Sequence, residues 1–265
     1  MRVGGLKVRY LDASEGTTVL LLHGIGHSVR AWGRAMPALA DAGFRAIALD
    51  TPGFGYSEQP AEIWDEDALV GFLDDFLDTF YLDRVSVGGH SLGGAFAAIY
   101  GLRRPERVNR LALVSAAIGP DVTPALRLLT LQLVRPMLRP LALRQAFSLF
   151  AGSWEPAVLE QELADAQRWL SDEKARVYFW NVLRQALRIR GIKPEYLILS
   201  RLAELKPPAL IAWGKKDWVL PFSNVEKIRA HLPGARYETF EDAGHMIPFD
   251  EPERFNRVLI EFLRG

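Results

Sequence analysis

The chain has 265 residues, 49% of them hydrophobic, and its 32 Lys plus Arg balance 32 Asp plus Glu. That composition excludes a disordered or fibrous protein, and zero net charge excludes the basic excess a nucleic-acid binder normally carries. At 29.7 kDa, folding can bury about 73% of the unfolded surface, enough for one large core. There is no cysteine, so disulfides, thiolate metal sites and Cys nucleophiles drop out together. Residues 1–6 carry no apolar signal-peptide region, and nowhere do the roughly 18 apolar residues of a membrane span run together. The expected setting is therefore the cytoplasm, without stable membrane insertion.

The first 118 residues alternate β-rich runs with longer helical patterns, the signature of a parallel sheet wrapped by helices. Residues 6–12 alternate like an edge strand, 17–22 are a continuous apolar run suited to a buried strand, and a helix is predicted over 29–42. A strand at 44–49, a helix at 65–80, a strand at 84–88, a helix to about 103 and a strand at 108–116 follow. From 119 to about 205 the pattern is helical, and so long a connection exceeds a plain β-α-β crossover. Three or four helices are expected there, one opened by Thr123-Pro124 and a long one over 172–190 before Gly191. The α/β pattern resumes with strands at 209–213 and 236–240 and helices at 221–231 and 252–263. The expected division is a core over 1–118 and 206–265, interrupted by an all-helical cap over 119–205.

Gly89-His90-Ser91-Leu92-Gly93 fits G-x-S-x-G, placed after an apolar strand and before a small-residue helix, which is the context this pattern needs. A serine on so sharp a turn is pushed outward over a helix N-terminus, where a developing anion is favoured. Serine needs a base, and the base an orienter. Of five histidines, His245 lies in a loop after a strand, in Asp242-Ala243-Gly244-His245-Met246. The carboxylate should follow a strand end between nucleophile and histidine, because such loops converge on one crevice. Asp217, after Ile211-Ala212-Trp213-Gly214-Lys215-Lys216, meets that condition; Glu241 and Asp242 are the alternatives. The amides of Leu92 and of Ile25, in the turn His23-Gly24-Ile25-Gly26, are the candidate oxyanion donors.

These motifs, with Asp50-Thr51-Pro52-Gly53-Phe54-Gly55-Tyr56-Ser57 between them, resemble the α/β-hydrolase superfamily over the whole chain. The resemblance implies an eight-stranded, mostly parallel sheet with a helical cap inserted after the sixth strand. It also narrows the chemistry, since dehalogenases and epoxide hydrolases of that superfamily carry Asp at the place of Ser91. Its carbon–carbon bond hydrolases typically show Gly-Pro after the oxyanion turn, Asn before the serine and Trp after the histidine. Here those places hold His27-Ser28, His90 and Met246.

The reading is a serine carboxylic ester hydrolase working through an acyl-enzyme, with Ser91, Asp217 and His245 catalytic, Ile25 and Leu92 holding the oxyanion, and no cofactor or metal. Hydrolysis of a carbon–carbon bond in a diketone-type ring-cleavage product is the alternative, and a ligand-binding receptor on the same scaffold is a more distant one. The partner is a small-molecule ester, and the chain is expected as a monomer or homodimer. Between Asp121 and Glu155 there is no acidic residue, while Arg127, Arg135, Arg139 and Arg144 interleave with leucines, which allows weak contact with a lipid interface. Trp154, Trp169, Tyr178, Phe179 and Trp180 are the rings from which a pocket lining is expected.

Overall fold

The computed structural model describes residues 1–128, 159–161, 163–164, 171–188, 191–193 and 197–265. Two short strands open the chain, β1 (Arg2–Val3) and β2 (Leu6–Lys7), followed by β3 (Tyr10–Ala13) and β4 (Thr17–Leu22). After α1 (Ala35–Asp41) come β5 (Phe44–Leu49), α2 (Glu66–Thr79), β6 (Val85–His90), α3 (Leu92–Arg103) and β7 (Val108–Val114). Next are α4 (Pro124–Leu128), α5 (Glu173–Ala186), and the paired strands β8 (Leu187–Arg188) and β9 (Gly191–Ile192). The chain closes with β10 (Ala209–Gly214), α6 (Ser223–His231), β11 (Arg236–Phe240), α7 (Ile247–Asp250) and α8 (Pro252–Arg264).

The main sheet runs in the order β11-β10-β7-β6-β4-β5-β3, parallel throughout except for antiparallel β3. Alternation along β4 feeds both faces. Leu20 and Leu22 pack on the side of α2 and α3, whereas Val19 and Leu21 pack with Trp32, Leu39, Phe255 and Leu259 on the side of α1 and α8. A parallel sheet covered on both faces needs such continuous apolar strands.

Several expectations are corrected. The main sheet has seven strands among the described residues, and the predicted edge strand over 6–12 is split, because Leu6–Lys7 pairs with Arg2–Val3 instead. The cause is the loop at 57–58. The amides of Lys7 and Arg9 donate to Glu58 Oε2 (2.8 Å) and Ser57 Oγ (3.0 Å), which takes this stretch out of the sheet ladder. The helix over 29–42 is two pieces, a 3-10 turn at Val29–Trp32 and then α1, separated at Gly33. Finally, α5 ends at Ala186 and not at Arg190, and the stretch over 119–205, expected to be all-helical, holds a strand pair: the chain turns back so that Leu187 pairs with Ile192, and both side chains face an apolar pocket.

Asp50, at the end of β5, ties the loops on this edge together. Its side chain is fully buried; Oδ1 accepts the Val29 amide (2.6 Å) and Oδ2 the Tyr56 amide (2.8 Å), with Arg9 Nη1 at 3.4 Å. Asp50→Ala leaves two amides without their acceptor and a cation without its partner. A loss of about 3–5 kcal/mol is expected, read as a lower urea midpoint, and an unchanged midpoint would contradict this assignment.

Candidate active site

Between β6 and α3 there is room for one residue, Ser91. Its backbone sits at φ 54°, ψ −117°, outside the regions open to an unstrained L residue. Main-chain bonds hold it there: its amide donates to Val114 O (3.0 Å), and its carbonyl accepts the amides of Gly94 (3.0 Å), Ala95 (3.2 Å) and Ala117 (2.9 Å). The turn closes only because Gly89 and Gly93 have no side chain. A Cβ on Gly93 would lie 2.3 Å from Leu22 O, and one on Gly89 would lie 2.2 Å from Gly93 O.

His245 sits in the loop between β11 and α7, and its Nδ1 lies 2.8 Å from Asp217 Oδ2. A carboxylate only accepts, so Nδ1 carries the proton and Nε2 keeps a free lone pair. Asp217 is fixed in turn, since Oδ1 accepts the amides of Val219 and Leu220, each at 2.9 Å, and its side chain is wholly buried. The two alternative carboxylates point elsewhere: Glu241 pairs with Lys215 (2.6 Å) and Asp242 with Lys216 (2.8 Å) at the surface.

The turn after β4 is anchored through His23. The Thr51 amide donates to His23 Nε2 (3.0 Å), so Nδ1 holds the proton and donates to Gly24 O (2.7 Å). Among the described residues neither the Ile25 amide nor the Leu92 amide donates a hydrogen bond, and both residues line the same cavity as Ser91 and His245. His90 also borders this cavity. Burial, reinforced by the neighbouring His245, holds its imidazole well below the usual 6.5, so it is neutral.

The cavity measures about 280 Å³ and no Asp, Glu, Lys or Arg lines it among the described residues. Its walls are Leu126 from α4, Val182, Leu183 and Ala186 from α5, Leu187 and Ile192 from the strand pair, and Phe96 and Ile99 from α3. Leu92, Phe96 and Ile99 recur at i, i+4 and i+7, the helical spacing that would have marked this face in the sequence. Trp218, beside Asp217, lines the cavity as well. The expected cap aromatics contribute less. Tyr178 borders a smaller chamber of about 80 Å³ that shares Leu92, Phe96, Val182 and Ala186 with the main cavity, while Phe179 and Trp180 border neither. Trp154 and Trp169, like Arg135, Arg139 and Arg144, lie outside the described residues. Arg127 turns back on the main chain, its Nε donating to Val122 O (3.1 Å).

The family described as alpha/beta hydrolase fold matches residues 17–252. The chain belongs to that family. A 2-hydroxy-6-oxononadienedioate/2-hydroxy-6-oxononatrienedioate hydrolase of Burkholderia vietnamiensis is 31% identical to this hydrolase over 270 residues, covering 98% of this chain and 91% of that one. Among solved structures, a membrane phospholipase A described as a bacterial virulence factor is 27% identical with a TM-score of 0.81, covering 100% of this chain and 84% of its own. An esterase from Exiguobacterium antarcticum is 25% identical, also with a TM-score of 0.81, covering 98% and 97%. No described helix is long and apolar enough to cross a membrane.

Proposed function

We propose that this hydrolase cleaves uncharged, apolar carboxylic esters through an acyl-enzyme on Ser91. The carrying observation is the cavity around Ser91, whose described walls are mostly aliphatic and aromatic, with Ser91, His27, His90 and His245 as the polar side chains and no Asp, Glu, Lys or Arg. In the proposed cycle Ser91 Oγ attacks the ester carbonyl carbon while its proton passes to His245 Nε2. Asp217 holds the imidazole tautomer and stabilises the imidazolium, and the Ile25 and Leu92 amides receive the oxyanion; one such donor is worth about 3 kcal/mol. As the tetrahedral intermediate collapses, the alcohol departs with the proton from His245. Water, deprotonated by His245, then attacks the acyl carbonyl and frees the acid. Each step uses side chains, amides and water. Residues 119–205 act in this reading as a cap between the two parts of the core, because α4, α5 and the strand pair supply one wall.

The named Burkholderia relative favours the second reading, hydrolysis of a carbon–carbon bond in a ring-cleavage product, over ester cleavage. The cavity is the counterweight. A dienoate or dienedioate brings at least one carboxylate, and among the described lining residues there is no Lys or Arg to pair with it, only Ser91 and the imidazoles of His27, His90 and His245, so its burial is costly. The deciding experiment measures kcat/KM for p-nitrophenyl acetate, butyrate and octanoate beside 2-hydroxy-6-oxo-6-phenylhexa-2,4-dienoate. Ester turnover with no dienoate cleavage is expected; dienoate cleavage more efficient than that of the best ester would install the second reading.

A further inference from the structure

We propose that His90 is a positioning residue that sets the main chain of His245, joining the nucleophile turn to the histidine loop at the wall of the cavity. The inference rests on the reading of His245 as general base. The His90 ring is 2% exposed, and its Nε2 lies 2.9 Å from the carbonyl oxygen of His245. A carbonyl only accepts, so Nε2 carries the proton and Nδ1 is bare. Nδ1 is buried without a hydrogen-bond partner, against the oxyanion turn, where a Cβ on Gly24 would come within 3.0 Å of it. A buried ring nitrogen left unsatisfied costs free energy, so the bond from Nε2 to His245 is the one hydrogen bond that offsets this cost for the ring. The two rings are 4.8 Å apart at 57°, close enough that displacing one displaces the other.

His245 is thereby held from two strands at once. Asp217, after β10, fixes the Nδ1 side of the imidazole, and His90, at the end of β6, fixes the backbone that carries it. Because His90 immediately precedes Ser91, the bond also registers the base against the nucleophile. Its burial keeps His90 neutral, so it places no charge beside the imidazolium formed during the reaction. Asp217 and the Gly244 amide bond to Asp250 (2.8 Å) retain the loop without His90, but neither refers it to the strand that bears Ser91.

The test compares His90→Leu, His90→Asn and His90→Gln. Glutamine carries its N–H as many bonds from Cβ as histidine Nε2 does, whereas the asparagine amide stops short. Two readouts are taken: the second-order rate of Ser91 labelling by a fluorophosphonate, which needs no knowledge of the substrate, and kcat and KM on the best ester. The Leu and Asn variants are expected to lose about 10- to 100-fold in labelling rate and kcat with KM unchanged, and Gln is expected to restore most of the loss. Melting temperatures of all three identify any variant that fails to fold, and the comparison of Gln with Asn then carries the result. Wild-type labelling rates in the Leu variant, or a Gln variant as slow as Asn, would overturn the positioning role. Failure of the site reading looks different: the wild type is not labelled, or His245→Ala labels as fast as the wild type, and the His90 inference falls with it.

Discussion

Ser91→Ala is expected to lower kcat by about a million-fold, leaving only the weak residual catalysis that the oxyanion amides and substrate binding supply. The structure gives a reason to expect a clean loss. Ser91 is held at its strained φ of 54° by four main-chain bonds, none of which involves Oγ. Alanine keeps all of them, so the turn, the cavity and the melting temperature should persist while turnover on any substrate, ester or carbon–carbon, disappears. Steady-state rates on the best substrate check this, with binding of a non-hydrolysable analogue as the control. A variant that retains even a hundredth of wild-type kcat would remove Ser91 from the reaction.

Asp217→Asn carries the second largest expected effect, about 10⁴-fold in kcat, the size seen when the carboxylate of a serine protease triad is replaced by its amide. The local bonding decides which way the new amide lies. Asp217 Oδ1 accepts two backbone amides, from Val219 and Leu220, and only an oxygen can continue to do so. The asparagine NH₂ must then face His245 Nδ1, which becomes an acceptor and forces the proton onto Nε2. A protonated Nε2 cannot take the serine proton. Stability should change little, because the buried backbone bonds survive; the measurement is kcat against pH beside a urea titration. A kcat within tenfold of wild type would show that Asp217 does not set the tautomer.

Much of this site is legible in the sequence because its parts are local. The elbow is five consecutive residues with glycines where backbone oxygens of Leu22, His23 and Gly93 leave no room for a Cβ. Asp217 and His245 are found by a rule about strand ends, and the parallel order of β6, β7, β10 and β11 brings those ends to one edge. What escapes is what depends on docking between distant segments. His90 reads as one more residue of a glycine turn, and its bond to a carbonyl 155 residues away exists only once the sheet has formed. The broken edge strand is of the same kind, since the donors of Lys7 and Arg9 are diverted by Ser57 and Glu58, some 50 positions later. The cavity walls follow suit: apolar spacing marks α5 as amphipathic but does not say that the chain folds back at Leu187–Ile192 to place two more aliphatic side chains beside Ser91.

Rings are abundant in the second half of the insertion, yet Trp180 is in the core, Phe179 packs against it, and Tyr178 meets Phe54 edge-on at 5.6 Å, beside the smaller chamber. Burial raises the Tyr178 phenol to about 12, which keeps it uncharged in that apolar setting. Aliphatic residues from α5 and the strand pair take the place above Ser91.

The most direct measurement of the central claim, that Ser91 is the nucleophile of a serine hydrolase, is intact-protein mass after exposure to a fluorophosphonate, followed by peptide mapping. The account predicts one adduct per chain, on Ser91, formed rapidly in the wild type and abolished in Ser91→Ala. No adduct, or an adduct on another residue that persists in Ser91→Ala, would contradict it.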